Sequence, residues 1–248
     1  MTSTAPRWSV GGTGTKPLRL YCFPHGGGSA AEYVRWGRAI AGVDLVAVQL
    51  PGRGSRISEP GHTAMEPLVS ALVAEADFVA PFAFFGHSLG AVIAYEVTHA
   101  LRAAGLPLPR RLVVSSFPAP HLPRGGEPVR TLPDDQLLDV VQRTHGGLPA
   151  EVLDHPEIRA LAAVSLRADY SVLETYQWRE REPLPIPLTV YAGQDEPLQQ
   201  EELCQWQRHS TEPVTVRTWP GGHFYLRNQR QPLVQRALAA ALRTSTSN

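Results

Sequence analysis

The chain is poor in lysine, cysteine and methionine: Lys16 is its one lysine, Cys22 and Cys204 its two cysteines, and two methionines complete the sulfur content of 248 residues. It also lacks any surplus of charge, with 23 Lys+Arg against 23 Asp+Glu. A neutral balance gives no basic field for nucleic acid or an anionic membrane, and neither is expected as a partner. No apolar run approaches the ~20 residues of a membrane span, and the opening MTSTAPRWSV lacks the charged-then-apolar pattern of a secretory leader. The expectation is a soluble, cytoplasmic protein. Cys22 sits in a strand-like run and Cys204 in a helix-like one, so the pair reads as buried hydrophobes rather than as a disulfide. What is present is a hydrophobic fraction of 43% against 19% charged, enough for a sizeable core. The length suits one domain, 1–248, better than two. The tail 244–248 reads as disordered.

Short apolar runs alternate with longer stretches of helical spacing, the pattern of a mostly parallel sheet flanked by helices. Strands are predicted at 18–23, 44–50, 82–85, 112–116, 188–191 and 214–219, and helices at 66–78, 89–104 and 232–242. The stretch 117–187 contains no strand-like run. It predicts helices over 134–144 and 156–178, the second with Ile158, Leu161, Ala162, Ser165, Leu166, Leu173 and Tyr176 near one stripe. Such an insertion between two strands is expected to form a mobile helical lid over the sheet edge, its apolar side roofing a pocket.

Gly86-His87-Ser88-Leu89-Gly90 matches the pattern G-x-S-x-G between a strand and a helix. A strand that turns abruptly into a helix presents the serine at its apex, and the flanking glycines are needed because a Cβ would collide with neighbouring backbone. A serine hydroxyl needs a base to take its proton and a third group to orient that base. His223, in Pro220-Gly221-Gly222-His223-Phe224 after a strand, stands where the base is expected. His25, His62, His99 and His209 lie elsewhere in the topology, and His87 reads as a local packing or hydrogen-bonding residue. The acid should follow the preceding strand: Asp195 fits the Gly-x-Asp spacing of Gly193-Gln194-Asp195, with Glu196 as its neighbouring competitor. An oxyanion requires backbone donors. One is the N–H of Leu89, the other the N–H of Gly26 in Phe23-Pro24-His25-Gly26-Gly27-Gly28, with Gly27 as the alternative. A phosphate-cradling loop is the rival reading of these glycines, and it fails because no Lys-Ser/Thr pair follows.

Together, Phe23-Pro24-His25-Gly26-Gly27-Gly28-Ser29-Ala30, Gln49-Leu50-Pro51-Gly52-Arg53-Gly54-Ser55-Arg56, GHSLGAVIAYE, Leu166-Arg167-Ala168-Asp169-Tyr170 and GGHFYL resemble the successive signatures of stand-alone type II thioesterases of polyketide and nonribosomal peptide biosynthesis, within the α/β-hydrolase fold. Gly26 departs from the alanine expected in many relatives, a change that a backbone donor tolerates. Thioesterase domains fused to synthetases typically carry the acid after the strand following the elbow helix. Here that strand ends Val114-Ser115-Ser116-Phe117 with no acid, as suits the stand-alone kind. The resemblance implies hydrolysis of aberrant acyl groups from the phosphopantetheine arms of carrier proteins, met transiently, with the triad Ser88, Asp195 and His223. No cofactor or metal is expected beyond the arm carried by the substrate. A general acyl-CoA or small-ester hydrolase and an idle carrier-binding module are the alternatives. Arg53, Arg56, Arg124 and Arg130 are candidate contacts for an acidic carrier, against a structural role for the first two. For Arg167 and Asp169 an intrahelical or lid-anchoring ion pair is expected.

Overall fold

Each predicted strand forms. In the computed structural model, which describes residues 8–38, 40, 42–227 and 231–243, they are β2 (Leu18–Phe23), β3 (Val43–Val48), β4 (Phe82–His87), β5 (Leu112–Ser115), β6 (Leu188–Gly193) and β7 (Thr215–Trp219), preceded by a short β1 (Ser9–Gly11). The order across the sheet is β1-β3-β2-β4-β5-β6-β7, with β1 antiparallel to β3 and all other pairs parallel. Every residue of β3, β4, β5 and β6 is buried. Such strands, covered on both faces, read as unbroken apolar runs, which is why they were visible in the sequence.

Alternate side chains feed two cores, as the two-residue period of a strand requires. Phe23, Val46, Phe84, Val114 and Val190 join a cluster with α2 (Met65–Glu75) and α3 (Leu89–Ala103) on one face. Cys22, Leu45, Phe85, Val113 and Tyr191 join a second cluster on the other, with Tyr33 of α1 (Ala31–Val34) and Leu238 and Leu242 of α8 (Gln231–Arg243). The chain runs from β2 to β3 in one direction across the sheet and from β4 to β5 in the other. The loops after β2 and β4 therefore diverge at one point, the crevice where open parallel sheets hold their ligands.

Between β5 and β6 lie α4 (Asp134–His145), α5 (Ala150–Asp154) and α6 (Pro156–Thr175). Leu137, Leu138 and Val141 of α4 pack with Ala163 and Leu166 of α6 in a small core of their own, whereas Val172 and the following Tyr176 belong to the main core. The expected single stripe is thus divided. Leu166 and Leu173 face a cavity, but Ile158 and Leu161 are 40% and 54% exposed. Cys22 is buried as expected, whereas Cys204, at the end of α7 (Gln200–Cys204), is exposed, and both are free thiols. No helix among the described residues is long and apolar enough to cross a membrane. The expected disorder of 244–248 lies outside the described residues.

Candidate active site

Ser88 sits between β4 and α3 with φ 54° and ψ −121°, a backbone conformation costly for a side-chain-bearing residue and held here by its surroundings. A Cβ on Gly86 would lie 2.1 Å from the Gly90 carbonyl oxygen, and one on Gly90 would lie 2.2 Å from that of Phe23. Both glycines are steric requirements of the turn. The Ser88 amide donates to the Ser115 carbonyl at 2.7 Å, tying the apex to the end of β5. Ser88 and His223 wall the same cavity.

The acid beside His223 is Glu196, not the expected Asp195. His223 Nδ1 stands 2.9 Å from Glu196 Oε2, with both side chains more than nine-tenths buried. Asp195 is exposed. The reason lies in the turn after β6. Gly193 approaches the base loop so closely that a Cβ there would sit 2.4 Å from the Gly221 carbonyl oxygen, and the Asp195 amide donates to that carbonyl at 3.0 Å. With the backbone of 195 turned to the base loop, its side chain points outward and that of 196 folds back inside. Glu196 Oε1 then accepts from the Gly193 amide at 2.7 Å and from Ser116 Oγ at 2.5 Å. Burial alone would raise the Glu196 carboxyl, but the hydrogen bonds from His223, Ser116 and Gly193 outweigh it and hold it below its ordinary value. Ser116, with φ 53°, was not foreseen. It occupies the place after β5 noted for its missing acid, and supports the acid from β6 instead.

The glycine loop after β2 is anchored from α6. Arg53 donates to Asp169 through two nitrogens, at 2.5 and 2.6 Å, and the Gly27 amide donates to Asp169 Oδ2 at 2.7 Å. The Arg53 and Asp169 side chains are 6% and 5% exposed. The pair therefore links the turn after β3, the glycine loop and α6, across 116 residues of sequence. Asp169→Ala would strand the Arg53 guanidinium in the interior. The expected cost is about 3–5 kcal/mol, a fall in Tm of roughly 6–20 °C in thermal denaturation. A Tm within ~1 °C of the parent's would show that the pair does not anchor the loop.

Residues 18–242 match the family described as Thioesterase domain. The chain belongs to this thioesterase family. Among curated relatives, it is 32% identical over 222 residues to the gramicidin S biosynthesis protein GrsT of Aneurinibacillus migulanus, covering 88% of this chain and 86% of that one. It is 36% identical over 217 residues to thioesterase PikA5 of Streptomyces venezuelae, covering 86% and 76%. Among solved structures, RedJ, a thioesterase from the prodiginine biosynthetic pathway of Streptomyces coelicolor, superposes with a TM-score of 0.84 at 35% identity, covering 92% of this chain and 86% of that one. The sheet described above is that of α/β-hydrolase thioesterases, and BorB, the type II thioesterase from the borrelidin biosynthetic cluster, superposes with a TM-score of 0.82 at 32% identity, covering 98% of this chain and 99% of that one.

In this thioesterase two of the four arginines weighed as carrier contacts, Arg53 and Arg56, are buried, whereas Arg124 is exposed and Arg130 half-buried. Arg53 is committed as described. Arg56 is buried, doubly bonded to Glu59 and stacked over Trp8 at 4.1 Å. Arg130 pairs with Glu174 at 2.8 Å, and Arg124 donates to the Tyr176 carbonyl at 2.9 Å. Arg167 pairs with Asp134 of α4 rather than with Asp169, and donates to the Arg130 carbonyl. The structural role weighed for Arg53 and Arg56 is the one they fill: Arg53 through Asp169, 116 residues away, and Arg56 through the local Glu59.

The thioesterase also gathers uncharged histidines. His87 accepts or donates at Ser115 Oγ, 2.8 Å away, which in turn meets the Tyr225 hydroxyl at 2.7 Å. Burial lowers it well below its ordinary value, and the nearby His223 adds to this. His25, expected elsewhere, walls the Ser88 cavity, as does His145 of α4. Burial, first among the causes, lowers these two to about 4, and His99 and His209 to about 3. In the unfolded chain each binds a proton near pH 6.5, whereas the folded protein refuses it until pH 4 or below. Their contribution to stability is therefore complete above pH ~6.5 and is lost as pH falls toward 4. Tm should decline steadily on acidification from pH 7 to 4.5. A flat Tm over that range would contradict the buried, neutral state of these rings.

Proposed function

We propose that this thioesterase hydrolyses aberrant or stalled acyl groups from the phosphopantetheine arms of carrier proteins in nonribosomal peptide or polyketide assembly. The observation that carries the reading is the strained Ser88 sharing a cavity with a His223–Glu196 pair, in a chain related to GrsT, PikA5 and RedJ. His223 takes the Ser88 Oγ proton as that oxygen bonds to the thioester carbon. The Leu89 amide at the start of α3 and the Gly26 amide receive the oxyanion. Gly26 is the loop donor because the Gly27 amide is already given to Asp169. The intermediate collapses, the C–S bond breaks and the imidazolium protonates the departing thiolate. Water then bonds to the acyl carbon as His223 takes its proton, the bond from that carbon to Ser88 Oγ breaks, and His223 returns the proton to Oγ as the acid leaves. Glu196 holds the proton of His223 on Nδ1 throughout and balances the imidazolium. No cofactor takes part; the pantetheine arrives with the substrate.

The cavity at Ser88 measures about 40 Å³, room for a few waters at most, while small-molecule sites usually span roughly 300–1,000 Å³. Its neighbour, about 210 Å³, shares the walls His25, Gly26, Val141, Leu166 and Phe224 and lies between the glycine loop and the lid. An acyl group and its arm therefore require α4 and α5 to move outward on their separate small core. One acyl group presented on a carrier protein and on coenzyme A should give a higher kcat/KM on the carrier. Equal values would remove carrier recognition and leave a general acyl-CoA or ester hydrolase.

A further inference from the structure

The lid ends on the loop that holds the base. The His145 ring, last on α4, lies over His223 with centroids 4.4 Å apart and planes at 38°. The His87 ring also lies against His223, at 4.9 Å. His223 is thus flanked by one ring from the core and one from the lid. The turn after His145 fits the base loop tightly. Gly147 has φ 82°, and a Cβ on it would lie 2.4 Å from the Phe224 ring. Arg227 fixes that turn. Its Nη1 donates to the Gly147 carbonyl at 2.9 Å, its Nε to Glu32 of α1 at 2.8 Å, and the guanidinium stacks on Phe224 at 4.0 Å. Its Nη2 lies 3.4 Å from His25 Nε2 in the glycine loop. One side chain therefore contacts the lid, the base loop, the glycine loop and α1.

We propose that His145 and Arg227 are positioning residues that couple lid closure to the catalytic base: with the lid down, His145 clamps the His223 ring against His87, and Arg227 holds the turn that carries it. When the lid lifts for substrate, His223 loses the His145 ring while keeping those of His87 and Phe224, and the base is set for proton transfer on closure. The Gly146 amide caps α4 by donating to the Gln142 carbonyl at 2.9 Å, so the helix end and His145 move together. Half-buried, with its pKa lowered by that burial and by His223, His145 adds no positive charge beside the imidazolium that forms on His223. The inference rests on His223 being the base of the proposed mechanism.

The test is steady-state turnover of p-nitrophenyl acetate, a substrate that needs no carrier. Ser88→Ala must first abolish the activity; if it does not, the triad reading fails and this coupling with it. Given that result, His145→Ala should lower kcat roughly 3- to 10-fold, the range a lost aromatic pair permits, with KM unchanged or lower. His145→Phe, which keeps a flat ring, should recover most of the loss. Arg227→Met should lower kcat comparably, and adding it to His145→Ala should cost less than the product of the two effects, because both act on one contact. Circular dichroism of each variant identifies any that fails to fold, and the remaining variants then decide. A parental kcat in His145→Ala, no recovery in His145→Phe, or fully multiplicative losses would overturn the coupling while leaving the triad reading intact.

Discussion

Glu196→Gln should lower kcat by about 10⁴-fold, whereas Asp195→Asn should leave it within about twofold. The carboxylate of Glu196 is acceptor to three donors at once: the Gly193 amide, the Ser116 hydroxyl and His223 Nδ1–H. A glutamine of the same shape can satisfy the first two through its oxygen, but then turns its NH₂ toward His223. Two donors cannot face one another, so the imidazole would shift its proton to Nε2, the nitrogen that must accept from Ser88. The geometry survives and the base is lost. Asp195 is exposed and, among the described residues, meets the base loop through its backbone amide. The check is kcat of both variants on one thioester, with Tm measured alongside. A large loss in Asp195→Asn with little in Glu196→Gln would reverse the assignment of the acid.

Ser88→Ala should cost on the order of 10⁶ in kcat, as removal of a triad nucleophile does. The fold should be unaffected, because the φ and ψ of residue 88 are imposed by the Gly86 and Gly90 contacts and by the amide bond to Ser115, none of which uses the hydroxyl. What remains would come from the two oxyanion donors and from binding alone, ~10³–10⁴ above the reaction in water. Turnover within tenfold of the parent's would exclude Ser88 as the nucleophile.

The sequence conveyed those features that depend on neighbours in the chain. Strands covered on both faces appear as apolar runs, and β4 followed by α3 with Gly86 and Gly90 makes the elbow recognisable. The edge strand β1 went unseen, since three residues, Ser9–Gly11, carry no periodicity. The place of His223 after β7 was legible. The carboxylate beside His223 was displaced by one residue, because which of two adjacent turn side chains points inward is decided by the approach of Gly193 to Gly221. Spacing along the chain does not record that contact. Ser116, His145 and Arg227 act through contacts 80, 78 and 195 residues away in sequence (Glu196, His223 and Glu32). The same distance hid the commitment of Arg53 to Asp169, which removed it from the surface where a lone turn arginine would ordinarily be placed.

The most direct measurement is intact-mass spectrometry of an acylated carrier protein mixed with this thioesterase and, separately, with its Ser88→Ala variant. With the parent enzyme the carrier should return to its holo mass, and rapid quenching should catch the enzyme heavier by one acyl group, located on the peptide containing Ser88. With the variant the carrier should stay acylated and the enzyme mass unchanged. A carrier that keeps its acyl group in the presence of the parent enzyme, or loses it equally fast with Ser88→Ala, would contradict hydrolysis through an acyl-Ser88 intermediate.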